Sequence, residues 1–161
     1  MRIVIDDLSG PDVAGFLAAH VEEMRSVSPP ESKHALDLEG LRAPEVTFWT
    51  VLDGDILAGC GAIKTIDPGH AEIKSMRTAP EYKNRGIASS LLQHIFDEAT
   101  KRGFTRLSLE TGSSAFFVPA RKLYEKAGFE YCEPFAEYKK DPNSVYLTKV
   151  LRPGNACRLN S

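Results

Sequence analysis

The stretch from Ala71 to Thr111 constrains the fold most, because one strong helix pattern lies between two strand patterns. The segments "AEIKSMRT" (residues 71–78) and "FTRLSLET" (residues 104–111) are rich in strand-forming residues. Between them, "RGIASSLLQHIFDEATKRG" repeats apolar residues at helical spacing and reaches Gly103, a residue type that commonly follows helix ends. A helix that connects two neighbouring strands in this way makes them parallel. The pattern predicts an α/β protein whose mixed central sheet carries helices on both faces.

The rest of the chain supplies strands and helices on either side of this unit. The predicted order is β-α-(α)-β-β-β-α-β-α-β, and no repeat or linker interrupts it. We expect one domain over residues 1–151 and a flexible tail over residues 152–161. The further segments are the strand "RIVIDD", the helix "GPDVAGFLAAHVEEM", the short helix or loop "KHALDLEGLRAP", the hairpin "VTFWTVLDGDILAGCGAIKTI", the helix "FFVPARKLYEKAGF" and the strand "SVYLTKVL".

Charge and cysteine content argue against several classes of protein. The formal net charge of the 161-residue chain is −2, so it lacks the positive charge with which proteins bind nucleic acids or anionic membranes. The sequence predicts neither a signal peptide nor a membrane-spanning segment. Cys60, Cys132 and Cys157 have no paired spacing, which favours neither a disulfide framework nor a metal site. We therefore expect a cytoplasmic protein with no metal, no nucleic-acid partner and no membrane partner.

The segment "YKNRGIA" (residues 82–88) places an anion-binding pattern at the start of the central helix. The first turn of a helix has free backbone N–H groups and the positive end of the helix dipole. Gly86 leaves room for close approach of an anion, and Lys83 and Arg85 add positive charge. The segment therefore suits a pyrophosphate, although an ordinary charged helix start explains it equally well. The lysine and glycine spacing matches neither a P-loop nor a dinucleotide-binding fingerprint.

Two blocks in order resemble a known family. "PEYKNRGIASSLL" and, after the next strand, "ARKLYEKAGF" are similar to the paired blocks of the GNAT superfamily of acyl-CoA-dependent N-acetyltransferases. The stretches "SPPESKHALDL", "LETG" and "DPNSVYLTKVL" further resemble a small bacterial branch labelled as indole-acetate acetyltransferases. The resemblance implies the GNAT fold, acetyl-CoA as co-substrate and an amine as acceptor. Members of this superfamily are often homodimers, and the resemblance extends that expectation to this chain.

The resemblance also implies roles for individual residues. Backbone amides from about Asn84 to Ser89 would hold the pyrophosphate of coenzyme A, and Tyr124 stands where the family has a tyrosine close to the thioester sulfur. The amide near Met76 would face the thioester carbonyl. Phe117 is a departure, because many relatives have an asparagine there that contacts the cofactor arm. The cofactor-binding residues so implied are Met76, Thr78, Lys83, Asn84, Arg85, Gly86, Ile87, Ala88 and Ser89.

Amine acetylation requires an acid and a base. Tyr124 is the candidate acid for the departing thiolate, and a buried core tyrosine at helical spacing is the alternative interpretation. The candidate bases are Glu110, at the end of one central strand, and Glu72, at the start of the other. Each could instead be a solvated residue at a strand end. His34 is a third candidate, because it lies in the helix-loop region that walls the acceptor pocket in the family.

Two functions are compatible with these residues. The first is transfer of an acetyl group from acetyl-CoA to a primary amine, with a small-molecule acceptor favoured because one domain of this size has no peptide-docking extension. The second is a non-catalytic sensor or interaction module that binds acyl-CoA on the same fold. The asparagine lost at Phe117 and the open choice of base favour the second, whereas the retained Tyr124 favours the first.

Overall fold

The computed structural model describes residues 1–27 and 38–151, and these residues form a sheet with helices. The helices are α1 (Pro11–Val27), α2 (Leu38–Leu41), α3 (Ile87–Lys101) and α4 (Val118–Lys126). Short 3₁₀ turns at Pro80–Tyr82 and Ala115–Phe117 precede α3 and α4. The strands are β1 (Arg2–Ile5), β2 (Val46–Asp53), β3 (Ile56–Asp67), β4 (His70–Thr78), β5 (Arg106–Gly112), β6 (Glu130–Cys132) and β7 (Ser144–Val150).

The seven strands lie in the order β1-β2-β3-β4-β5-β7-β6. β4 and β5 are parallel neighbours joined through α3, which confirms the crossover predicted from the sequence. The other neighbouring pairs among the described strands are antiparallel. The predicted order lacked β6, which has three residues and pairs with β7. Three residues are too few to establish a strand periodicity, so only the pairing with β7 reveals this element.

Helices cover both faces of the sheet, as predicted. Val13 and Leu17 of α1 and Leu41 of α2 are buried on one face with Phe48 and Cys60 of the sheet. On the other face the predicted apolar stripe of α3 is buried against the sheet in a larger core that also contains α4. Burial of these stripes stabilises the layered arrangement, because each element is apolar on one side only. The buried residues of the α3 stripe are Ile87, Leu91, Leu92, Ile95 and Ala99.

β4 and β5 pair over a short distance and then separate. Their register runs from His70 opposite Arg106 to Glu72 opposite Ser108 and goes no further. Beyond this point the β3–β4 register shifts, and Ser75 adopts a φ of 58°, in the left-handed region that non-glycine residues rarely occupy. β4 is thus irregular in the part that is no longer paired with β5. A cleft therefore opens between two strands of the same sheet, and α3 begins at its mouth.

Two sequence predictions concern residues outside the described part of the chain. The domain boundary at residue 151 stays a prediction, because residues 152–161 lie outside the described part of the chain. The part of "KHALDLEGLRAP" before Leu38 also lies outside it. Within residues 1–27 and 38–151, no helix has both the length and the apolar character needed to cross a bilayer.

Candidate active site

The cleft between β4 and β5 has a volume of about 650 Å³ and brings together nearly all predicted site residues. The predicted acid Tyr124 and both predicted carboxylate bases, Glu72 and Glu110, line it. Among the predicted cofactor residues, Arg85 is the exception, because its guanidinium lies 5.1 Å from the centroid of the Tyr82 ring. Those that line the cleft are Met76, Thr78, Lys83, Asn84, Gly86, Ile87, Ala88 and Ser89.

The start of α3 has the geometry of an anion cradle. Gly86 is the N-cap residue and adopts a left-handed φ of 79°. A Cβ atom placed on Gly86 would meet no atom within 4 Å, so the space above this backbone is open. The first intrahelical hydrogen bond runs from the Ser90 amide to the Gly86 carbonyl at 3.0 Å, which leaves the preceding amides of the first turn without intrahelical acceptors. These residues therefore fit the pyrophosphate of coenzyme A.

The loop before α3 is fixed by side-chain contacts. The Tyr82 hydroxyl donates a hydrogen bond of 2.7 Å to Asp53 Oδ2 at the end of β2. The Tyr82 ring also carries the Arg85 guanidinium on its face. Arg85 therefore packs on the cradle loop, and its role in cofactor binding stays a prediction.

Tyr124 lies on α4 and is 6% exposed. Burial raises the pKa of the Tyr124 phenol, so the hydroxyl keeps its proton at neutral pH. Its ring packs edge-on against Phe129, with centroids 5.6 Å apart. Among residues 1–27 and 38–151, no acceptor for the Tyr124 hydroxyl is seen. A buried phenol that lines the cleft in its protonated form can donate a hydrogen bond to a leaving thiolate.

Glu72 is held by two donors inside the cleft. The Lys74 ammonium lies 3.1 Å from Glu72 Oε2, and the Tyr138 hydroxyl donates to the same oxygen at 2.5 Å. The Lys74 ammonium also donates to the Tyr138 hydroxyl at 3.0 Å. The exposed fractions of the Lys74 and Glu72 side chains are 9% and 6%, so this is a buried ion pair. Burial, followed by the charge of Glu72, raises the pKa of Tyr138.

Glu110 faces the cleft from β5 with a different partner. Its Oε2 atom accepts a hydrogen bond of 2.5 Å from the Ser144 hydroxyl of β7. Glu110 is half-buried, and its register partner on β7 is Tyr146. The two carboxylates therefore line one cleft from neighbouring strands, Glu72 in an ion pair with Lys74 and Glu110 in a hydrogen bond with Ser144.

Phe117, the departure from the family pattern, forms an apolar wall. Its ring lies so close to Gly112 that a Cβ atom there would be 2.0 Å from Phe117 Cδ2. Phe116 packs against Phe117 with ring centroids 5.0 Å apart, and both line the cleft. The polar contact that an asparagine would supply is thus replaced by an aromatic surface. Gly112 is required for this packing, because any larger side chain would displace the ring.

Sequence reasoning missed several residues of the cleft. Side chains alternate between the two faces along β4, so His70, Glu72 and Lys74 lie on one face. This spacing alone could have placed Lys74 beside Glu72. Arg77 breaks this alternation because of the irregularity at Ser75, and no local pattern reveals that shift. Tyr138 comes from the loop between β6 and β7, which has no periodicity, so the sequence alone left open whether it belongs to the core or to the pocket lining.

Two further predictions concern His34 and metal binding. His34 lies outside the described residues, so its role as a base stays a prediction. In the part of the chain that the structure describes, no group of three or more His, Cys, Asp or Glu side chains is arranged to hold a metal ion.

A mixed sheet with helices on both faces and an anion cradle at the start of α3 is the arrangement that the resemblance predicts for an acyl-CoA-dependent acyltransferase. The model of the Acetyltransferase (GNAT) family matches residues 13–129. The chain therefore belongs to the GNAT family and is an acyltransferase of the N-acetyltransferase type.

Relatives of similar length carry consistent names. YsnE of Bacillus subtilis (strain 168), named as an uncharacterised N-acetyltransferase, is 60% identical over 151 residues, which cover 94% of this chain and 100% of that protein. YedL of Escherichia coli (strain K12), named in the same way, is 52% identical and covers 95% of this chain and 96% of its own length. A protein of Azospirillum brasilense named IAA acetyltransferase is 37% identical, covering 76% of this chain and 80% of its own.

Solved structures share the fold. A crystal structure from Klebsiella pneumoniae subsp. pneumoniae, described as a candidate acyl-CoA N-acyltransferase, matches with a TM-score of 0.74 at 25% identity and covers 94% of this chain and 97% of that one. An aminoglycoside 6′-N-acetyltransferase complexed with coenzyme A matches with a TM-score of 0.70 at 16% identity, covering 95% and 98%. The second likeness concerns the fold alone.

Proposed function

We propose that this protein transfers an acetyl group from acetyl-CoA to a primary amine of a small molecule. The observation that carries the proposal is that the same cleft contains the cradle at Gly86, the protonated Tyr124 hydroxyl and the carboxylate of Glu110. Membership of the GNAT family, which uses acetyl-CoA, supports the choice of donor. Homodimerisation stays a prediction drawn from the family resemblance.

The cofactor half of the cleft fits acetyl-CoA, which supplies an activated acetyl thioester. The amides from Asn84 to Ser89 would hold its pyrophosphate, with Lys83 adding positive charge. The edge of β4 at Met76 and Thr78, where pairing with β5 has ended, would contact the pantetheine arm. An amide of β4 near Met76 would stabilise negative charge on the thioester oxygen.

A base is required because the acceptor amine is protonated at neutral pH. A lysine-like amine has a pKa of about 10.4, so its deprotonation at pH 7 costs about 4.6 kcal/mol. Glu110 is the base that we propose, because the Ser144 hydroxyl that donates to it can rotate to accommodate a protonated carboxyl. Proton transfer to Glu72 would break its buried ion pair with Lys74, which is strongly unfavourable. We therefore assign Glu110 to proton removal and Glu72 to holding Lys74 and Tyr138.

Tyr124 completes the reaction on the side of the leaving group. Departure of coenzyme A creates a thiolate, and a phenol whose pKa is raised by burial stays protonated until that charge develops. Its hydroxyl would then donate a hydrogen bond or the proton itself to the sulfur. The aromatic wall of Phe116 and Phe117 would keep water away from the thioester.

Glu110→Gln and Glu72→Gln are expected to have different effects. Glu110→Gln should lower kcat/KM at pH 7 at least tenfold, and the deficit should shrink as rising pH deprotonates the amine in solution. Glu72→Gln should lower the midpoint of thermal unfolding more than Glu110→Gln does, because it breaks the buried ion pair with Lys74. Steady-state pH profiles and thermal unfolding of both variants measure this difference. Wild-type turnover by Glu110→Gln at pH 7 would remove Glu110 from the mechanism.

The proposed function itself is tested by release of coenzyme A from acetyl-CoA in the presence of a panel of amines. The panel should contain alkylamines, arylalkylamines, aminoglycosides and amino acids, with indole-acetate included because of the name of the Azospirillum relative. Acetylation of at least one amine, verified by product mass, is the expected result, whereas indole-acetate should stay unmodified because its carboxylate is a poor nucleophile. Binding of acetyl-CoA without transfer to any member of the panel would favour the non-catalytic sensor.

A further inference from the structure

Arg77 is a buried cation of the cleft, one residue beyond Met76 on β4. Its side chain is 10% exposed and lines the cleft. The Nη1 atom donates to Glu23 Oε1 of α1 at 3.1 Å, and the guanidinium lies 5.2 Å from the centroid of the Phe16 ring. The Nε atom is buried and has no hydrogen-bond partner. The guanidinium is thus held in place at Nη1, while its Nε donor is unmatched.

An unmatched donor on a buried guanidinium calls for an acceptor. Buried polar groups are nearly always paired, and a charged donor left unpaired is costly. The Glu23 contact uses Nη1, which lies on the far side of the guanidinium from the edge formed by Nε and Nη2. That edge presents two parallel N–H groups, which match the two oxygens of a carboxylate in a bidentate arrangement. The ligand that satisfies Arg77 best is therefore a carboxylate.

The other charges of the cleft suit an amine on the same molecule. Lys74 is bonded to Glu72 and to Tyr138, so its charge is already compensated inside the cleft. Glu110 lines the same cleft from β5 and supplies negative charge where an ammonium would approach. An acceptor with a carboxylate at Arg77 and an amine directed to Glu110 would match both charges.

His20 stands beside Arg77 without adding charge. Burial lowers the pKa of the His20 imidazole to about 4, and the charge of Arg77 adds to this effect. His20 is therefore neutral at physiological pH, and its Nδ1 atom is buried without a hydrogen-bond partner. His20 on α1 thus adds a second unmatched polar atom to that of Arg77, and both residues line the cleft. This is consistent with a polar ligand at this position.

We propose that the acceptor is a small amine that also carries a carboxylate, and that Arg77 binds this carboxylate through its Nε edge. This inference rests on the proposed function, because it names the chemical class of the acceptor. It makes Arg77 a specificity-determining residue. The competing interpretation is that Arg77 and Glu23 only tie α1 to β4, in which case removal of either partner would have the same effect.

Binding to the complex with coenzyme A tests the inference without requiring turnover. The probes are β-alanine, 4-aminobutyrate, alanine and phenylalanine, each compared with its own primary amide by isothermal titration calorimetry. For at least one pair we expect the carboxylate form to bind at least tenfold more tightly, since hydrogen bonds between charged groups are stronger than those to a neutral amide. Arg77→Lys keeps the charge but loses the two parallel N–H donors of the guanidinium. It should reduce the preference for the carboxylate form to about threefold or less.

Glu23→Gln is the matched control. It removes the ion pair but leaves the guanidinium edge intact, so the carboxylate preference should stay at least tenfold. Equal loss of preference in Arg77→Lys and Glu23→Gln would overturn the inference in favour of a structural ion pair. A preference that persists in Arg77→Lys, or its absence from all four pairs in the wild type, would also overturn it. Unchanged coenzyme A affinity in each variant verifies that the fold is kept.

Acetyl transfer to the same compounds separates this inference from the proposed function. If the amines are acetylated with no difference between their carboxylate and amide forms, the proposed function stands and the role of Arg77 is wrong. If carboxylates bind in an Arg77-dependent manner but are never acetylated, the role of Arg77 stands and the proposed transfer reaction is wrong.

Discussion

Tyr124→Phe is expected to lower kcat at least tenfold while the affinity for acetyl-CoA stays within about twofold of the wild type. The substitution removes one oxygen from a buried ring and keeps the contact with Phe129 in the apolar core. Loss of a positioned acid typically costs about 10²–10⁴-fold, and solvent at the cleft can partly replace a hydroxyl, so tenfold is the lower bound. Single-turnover measurements with saturating acceptor report the chemical step directly.

Tyr146→Phe is the matched control for that substitution. Tyr146 is also a buried tyrosine, and its hydroxyl donates to the Lys139 carbonyl at 2.8 Å in the loop between β6 and β7. Loss of this hydroxyl should affect stability more than kcat. Wild-type kcat in Tyr124→Phe would identify Tyr124 as a core residue. A tenfold loss in both variants would show that any missing buried hydroxyl disturbs the cleft, and would equally remove the specific role of Tyr124.

The parts of the fold that could be predicted are those encoded by local periodicity. The α3 stripe from Ile87 to Ala99 follows one helical pattern, the flanking strands are rich in strand-forming residues, and the parallel pairing follows from their order. The strand β6 escaped prediction because its hydrogen bonds come from β7, which is distant in sequence. Pattern reasoning thus recovers elements that are stable as periodic units and misses those defined by a partner.

In the candidate site, too, the features encoded by a contiguous segment could be predicted and those that depend on distant residues could not. The cradle at Gly86 is a contiguous segment, so its sequence carries both the backbone conformation and the helix start. The choice between Glu72 and Glu110 depends on Lys74, Tyr138 and Ser144, which come from three different elements. Whether a carboxylate is bonded to a cation or to a hydroxyl is a tertiary property. Arg77 is harder still, because the irregularity at Ser75 decides which way the following side chains point.

Gly86→Glu is expected to abolish the stabilisation of the protein by acetyl-CoA. A ligand at about one hundred times its dissociation constant adds about 2.7 kcal/mol to the free energy of unfolding. For a domain of this size, that corresponds to a rise of about 5–11 °C in the unfolding midpoint. The new carboxylate would project into the open space above the first turn of α3, where it would repel the pyrophosphate and occupy the amides. Thermal unfolding with and without acetyl-CoA measures the effect.

The control for Gly86→Glu must carry the same backbone strain and the same charge. Gly103 follows the other end of α3, has a φ of 90° and, like Gly86, would have no atom within 4 Å of an added Cβ. Gly103→Glu should lower the unfolding midpoint in the absence of ligand by an amount of the same order, because both variants place a side chain in the left-handed region. Unlike Gly86→Glu, it should keep the full rise of about 5–11 °C on addition of acetyl-CoA.

Gly86→Ala separates the two components of the Gly86→Glu effect. Alanine imposes most of the backbone strain without the charge, so a retained but smaller rise would assign the loss in Gly86→Glu to electrostatic exclusion of the pyrophosphate. A complete loss in Gly86→Ala would instead assign it to the left-handed backbone of the N-cap, which orients the free amides. An unchanged rise in Gly86→Glu would mean that acetyl-CoA binds away from this helix start. The cofactor half of the cleft would then need a different assignment, even though the GNAT fold would stand.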